Sequence, residues 1–181
     1  MDFKLHTKDT APAGAKDILE GAEKKYGFVP NLLATMAEAP AVVEAYATLG
    51  GIFDKTSFSP TERQVVLLTV SRENVCTYCM AAHTVIAGMQ DVPDDVVDAL
   101  RNDTPIQDEK LEALRRYTRA VVESRGNPSD ADVKAFFDAG YGNQQVLEVN
   151  LGVTFKTLSN YTNHVAHTPV DSAFKSAEWS K

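Results

Sequence analysis

The chain has 181 residues, 44% of them apolar and 24% charged, which suffices for one domain with a buried core and no disulfide staples. Its net charge of −7 and pI near 5.1 count against nucleic acid or an anionic membrane as the main partner, because both need a basic surface. No apolar run approaches the roughly 18 residues of a spanning helix, and the start Met1-Asp2-Phe3-Lys4-Leu5-His6 lacks an apolar signal region, so a cytoplasmic protein is expected.

Apolar positions recur at helical spacing along nearly the whole sequence. Residues 14–26 read as a first helix that stops at Gly27. Pro30 opens a short stretch, Asn31 to Glu38, ending before Pro40, and Ala41 to Phe53 reads as a helix interrupted at Gly50-Gly51. Ser59, Pro60 and Glu62 supply an N-cap, a proline at N1 and a capping-box glutamate for a helix that carries Val65 to Val70 and fades near Glu73-Asn74. A helix with cysteines in its first turn follows from Cys76 to Met89, and Pro93 starts Asp94 to Leu100. Asp108 to Ser124 is amphipathic, with Leu111, Leu114, Tyr117 and Val121 on one face. Gly126-Asn127-Pro128 breaks it, Ser129 caps Asp130 to Ala139, and Gly140 and Gly142 precede a mostly apolar helix from Asn143 to His164. No alternating strand pattern, fixed-period repeat or low-complexity linker occurs. The expected fold is a single all-α helical bundle over 1–181, with its core at about 30–174 and with 1–12 and 175–181 at the periphery.

Cys76 and Cys79 are the only cysteines, three residues apart, with His83 four residues after the second. On a helix all three fall on one stripe, within an arc of about 60°. In a reducing compartment such a pair is catalytic, redox-sensing or metal-binding rather than structural. A thiolate attacks a peroxide bond where a thiol barely does. A helix N-terminus and a histidine both favour the thiolate, and the sulfenic acid left behind condenses with a second thiol. Cβ atoms at i and i+3 stand about 5–6 Å apart, beyond the usual disulfide spacing of roughly 3.5–4.5 Å, so closure requires a small adjustment of the first turn. Buried packing cysteines and a zinc site are the plain rivals. The latter has three ligands, with His164, His167 or Glu73 as the fourth.

The segment Glu73-Asn74-Val75-Cys76-Thr77-Tyr78-Cys79-Met80-Ala81-Ala82-His83 resembles the core of the AhpD-like alkylhydroperoxidases of the carboxymuconolactone decarboxylase superfamily. The run entered through Ser59-Pro60-Thr61-Glu62-Arg63 fits the same family, and the stretch from Leu158 to Asp171 resembles the signature of its peroxidase-related branch. The resemblance implies an all-helical fold and a homo-oligomer, trimer or hexamer. It also implies a hydroperoxidase in which Cys79 is the attacking thiol, Cys76 the resolving thiol, and His83 relays a proton to a glutamate. The position that carries this glutamate in the family, twelve residues before the first cysteine, is Gln64 here, so Glu73 is the expected substitute. Asn160, His164 and His167 form a polar stripe expected at a helix end or subunit contact, and Tyr78 is expected to pack.

The activity expected is thiol-dependent reduction of a small hydroperoxide. It needs no cofactor or metal, and its electrons come from a dithiol protein, thioredoxin-like or lipoyl-bearing. The alternatives are a carboxymuconolactone-decarboxylase-like enzyme, which uses no cysteine pair, and a non-enzymatic thiol redox sensor.

Overall fold

The computed structural model describes residues 2–181. Among them are nine α-helices and no strand: α1 (Ala13–Tyr26), α2 (Asn31–Met36), α3 (Pro40–Phe53), α4 (Pro60–Glu73), α5 (Thr77–Met89), α6 (Asp94–Asn102), α7 (Glu109–Glu123), α8 (Asp130–Asp138) and α9 (Asn143–Ala166). A 3₁₀ segment (Ser172–Ala177) follows. The all-α expectation holds, with boundaries moved by one or two residues. Helix α3 runs unbroken through Gly50-Gly51. A Cβ at Gly50 would come within 3.3 Å of the Phe155 ring, so the glycine there serves close approach of α9 rather than a break.

Helix α4 is the axis. Gln64 through Ser71 are all buried, so its apolar surface runs all round, as a helix enclosed by others requires. It packs against α5, α6, α7 and α9. Its start is the predicted capping box: Ser59 Oγ accepts from the Glu62 N–H, and a Glu62 carboxylate oxygen accepts from the Ser59 N–H at 2.8 Å. Glu62 also accepts from the Tyr141 hydroxyl at 2.9 Å.

The buried apolar side chains form two clusters. One centres on Phe53, Val65, Leu68, Met80, Leu114, Tyr117 and Phe136. The other holds Leu19, Leu32, Met36, Tyr78 and both cysteines. Tyr46 of α3 packs against both and stacks on Phe155 at 4.8 Å between centroids.

Both ends, expected at the periphery, are docked. The His6 N–H donates to the Ala34 carbonyl, and its imidazole is 2.7 Å from Glu38. The Trp179 indole N–H donates to the Arg101 carbonyl. Asp171 accepts from the Asn31 N–H and from the Tyr78 hydroxyl at 2.6 Å, which fastens the C-terminal segment across α2 and α5.

Candidate active site

The turn between α4 and α5 sets the cysteine pair. Helix α4 ends in a Schellman motif: the Val75 N–H reaches the Arg72 carbonyl and the Cys76 N–H reaches that of Ser71. Val75 takes the left-handed position with φ 54°, where a β-branched residue is strained. This reversal makes Cys76 the N-cap of α5, and its sulfur accepts the Cys79 N–H at 3.4 Å. The fixed φ of Val75 thus aims one sulfur back over the first turn, toward the other. Both cysteines are reduced, Cys76 1% and Cys79 2% exposed.

The face opposite the pair comes from α9. Lys156, Ser159, Asn160 and Asn163 stand at i, i+3, i+4 and i+7, all buried, so a polar stripe faces inward from a largely apolar helix. The Asn163 amide nitrogen lies 3.3 Å from Cys79 Sγ and 3.6 Å from Cys76 Sγ. Ser159 Oγ is 3.8 Å from Cys79 Sγ.

The hydrogen bonds fix the state of His83. Gln64 donates its amide N–H to Gln90 at 3.0 Å, which leaves its carbonyl oxygen toward His83 Nδ1, also at 3.0 Å. That oxygen only accepts, so Nδ1 carries the proton and Nε2 presents a lone pair. Lys156 Nζ, 2.9 Å from Nε2, donates to it. Burial first, and the Lys156 charge second, hold the imidazole pKa well below its ordinary value. His83 is therefore neutral and fully engaged.

The two sulfurs part in acidity. Burial pushes Cys79 up, but the Cys76 side chain, the Lys156 charge, and Ser159 and Asn160 outweigh it, so the thiol lies well below its ordinary value. Cys76 moves the opposite way, raised first by its hydrogen bond to the Cys79 sulfur and then by burial. The N–H at the start of α5 acts on Cys76, yet it is the weaker influence.

Residues 32–120 match the carboxymuconolactone decarboxylase family, and 95% of the chain superposes on a solved AhpD-core structure. That segment belongs to the carboxymuconolactone decarboxylase family, and the fold is the one seen in the AhpD-core structure. An uncharacterized peroxidase-related protein from Ralstonia eutropha JMP134 superposes with a TM-score of 0.85 at 19% identity, over 95% of this chain and 93% of that one. Another, from Silicibacter sp. TM1040, gives 0.81 at 17% identity over 96% and 92%. A cysteine-to-alanine variant of the debrominase Bmp8 in complex with 2,3,4-tribromopyrrole gives 0.78 at 19% over 98% and 95%. No curated protein matches by sequence.

Against this AhpD-like background, Cys79 and His83 lie on α5 with Cys76 as its N-cap, but the expected relay carboxylate is not beside them. Glu73 accepts from the Arg119 Nε–H at 2.7 Å and lies 3.9 Å from Arg72, in an ion-pair cluster with Asp103 that joins α4 and α7 to the end of α6. The carboxylate leaves the last turn of α4 toward these arginines, away from His83. Gln64, at the position where the resemblance implies a relay glutamate, meets His83 as an amide. Among the described residues no hydrogen bond joins His83 to Cys79, and no three or more His, Cys, Asp or Glu side chains form a metal-binding group. Both His83 nitrogens are already taken, so the residues do not fit zinc. His164 and His167 are exposed, while Asn160 is buried and accepts from Asn74. Sequence reasoning missed Lys156 and Asn163. The one available signal was the spacing of Lys156, Ser159, Asn160 and Asn163, which puts four polar residues on one face of a largely apolar helix.

Proposed function

We propose that this protein reduces hydroperoxides with its own dithiol. Cys79 attacks as the thiolate: RS⁻ + HO–OR′ gives RS–OH and R′O⁻, and the alkoxide takes a proton to leave as R′OH. The Cys76 thiol then attacks the sulfenic sulfur, water departs, and the Cys76–Cys79 disulfide forms. A protein dithiol, thioredoxin-like or lipoyl-bearing, returns two electrons by disulfide exchange. On this reading the protein acts in the reducing cytoplasm as a homo-oligomer.

One observation carries the proposal: a depressed Cys79 thiol in contact with the same amide as a raised Cys76 thiol. That asymmetry supplies a nucleophile and a protonated resolving partner at one pH. The test is to mix reduced protein with cumene hydroperoxide and count free thiols. Loss of both thiols with matched peroxide consumption is expected; surviving thiols and unconsumed peroxide refute it.

A thiol redox sensor is the second reading. It is favoured by the burial of both sulfurs and by His83 having no carboxylate to relay to. Multiple turnovers with a dithiol reductant exclude it, and a single stoichiometric oxidation selects it. Likeness to a debrominase adds one control. Thiol loss with a bromopyrrole, but not with hydroperoxide, would assign reductive removal of halogen.

A further inference from the structure

Lys156 is 1% exposed, and its Nζ makes one hydrogen bond, to a neutral imidazole. Among the described residues no carboxylate lies within ion-pair distance of it. A buried ammonium with no anion is strongly disfavoured, so its partner must be sought among the groups that face it. The α9 stripe that Lys156 shares with Ser159 and Asn163 faces Cys76, Cys79 and His83, with the neutral Gln64 on α4 behind the imidazole, while the Tyr46 hydroxyl of α3 lies by Cys79 and Ser159. Only a sulfur can become the anion at neutral pH, and Cys79 is the one also approached by Ser159 and, at 3.3 Å against 3.6 Å for Cys76, the closer of the two to the Asn163 amide.

Asn163 gives a second, independent observation. Its amide nitrogen spans both sulfurs, while its carbonyl oxygen is buried without a partner. An orphan acceptor beside the attacking atom is satisfied by a donor that arrives with the substrate. A hydroperoxide carries one such donor, its terminal O–H.

We propose that Lys156 is the buried counter-ion of the Cys79 thiolate and the acid of the reaction, and that the Asn163 carbonyl oxygen receives the peroxide O–H. This deepens the hydroperoxidase reading and rests on it for the chemical step. The O–H stays on the transferred oxygen as Cys79–SOH, and the O–O electron pair leaves with R′O⁻. A Lys156 N–H proton then completes R′OH, and the neutral amine regains a proton from water. His83 is a positioning residue: its Nε2 lone pair holds Lys156 toward the sulfur. The lysine thus stands where a histidine–carboxylate relay was expected.

The experiment measures two quantities separately on reduced protein: thiolate absorbance and iodoacetamide alkylation of Cys79 against pH, and oxidation by cumene hydroperoxide. Lys156→Met is expected to move the thiolate titration to higher pH and slow alkylation at neutral pH by about tenfold or more, one pKa unit being tenfold. Lys156→Arg, which keeps the charge, is expected to restore the titration. An unchanged titration in Lys156→Met overturns the ion pair. Should Lys156→Met not fold, alkylation of Cys79 in wild-type protein decides. Half-maximal rate below the ordinary thiol value supports the pair, and a value at or above it overturns it. Asn163→Ala is expected to slow peroxide oxidation by a larger factor than alkylation, since iodoacetamide brings no O–H; equal losses overturn that role. Wild-type protein that ignores hydroperoxide while Lys156→Met still loses its thiolate would refute the peroxidase reading and keep the ion pair.

Discussion

Gln64→Glu places a carboxylate at the position where the family resemblance implies a relay glutamate, and the structure fixes what should follow. The wild-type amide oxygen stands 3.0 Å from His83 Nδ1. With charge centres about 4 Å apart and an effective dielectric near 20, a carboxylate there attracts an imidazolium by about 4 kcal/mol, or about three pKa units. Two effects oppose it: the new carboxylate is buried, and the Lys156 ammonium sits 2.9 Å from the far nitrogen. A net rise of about one to two units is therefore expected, within the range an adjacent opposite charge produces. The exposed Gln90 can turn its amide to donate to the introduced carboxylate in place of the bond it now accepts. The assay is an NMR titration of the imidazoles, with His83→Gln identifying the signal. In wild-type protein the His83 resonance should stay in its neutral position through about pH 6.5, where a free imidazole titrates; in Gln64→Glu it should move toward that range. A wild-type His83 that titrates like an exposed histidine, or one unmoved by the new carboxylate, refutes the hydrogen-bond chain from Gln90 to Lys156.

Glu73→Gln should leave thiol oxidation unchanged and cost about 1–2 kcal/mol in urea denaturation, because it breaks a half-buried pair with Arg119; a tenfold slower oxidation would return Glu73 to the relay. Val75→Gly should stabilise the reduced protein by about 0.5–1 kcal/mol, because the left-handed residue costs about 1–2 kcal/mol and glycine returns part of that as unfolded-state entropy; destabilisation would contradict the strained reversal. Stability should follow pH through the site. The folded Cys79 value is depressed, so the unfolded chain holds that proton more tightly up to about pH 8.5, and stability rises with pH across that window and is lost as pH falls through the folded value. Buried His83, also depressed, adds a loss below about pH 6.5, and the raised Cys76 value makes stability fall again above about pH 8.5. The melting temperature of the reduced protein should therefore climb from about pH 6.5 to 8.5, and that climb should vanish in Cys79→Ser; a flat wild-type profile there contradicts the thiolate assignment.

The helices were legible because their punctuation is local. Ser59-Pro60-Glu62 and Ser129-Asp132 close their capping boxes with the side chains the sequence places three residues apart. The spacing of Cys76, Cys79 and His83 likewise requires only that one segment be helical. The partners of these residues were not legible. Whether Glu73 points at His83 or at Arg119 depends on how α4 rotates against α7, and nothing within the motif encodes that. Lys156 and Asn163 come from α9, more than seventy residues away in sequence, and each looks ordinary until α9 is laid beside α5. Gly50 misled for a related reason: it reads as a helix break, but its missing side chain makes room for Phe155 from that same distant helix.

The central claim is that Cys79 takes oxygen from a hydroperoxide. Mass spectrometry of Cys76→Ser, treated with stoichiometric cumene hydroperoxide in the presence of dimedone, tests it most directly. One dimedone adduct at Cys79 is expected, because the resolving thiol is absent and cannot compete for the sulfenic acid. An unmodified Cys79 with the peroxide still in solution would contradict it.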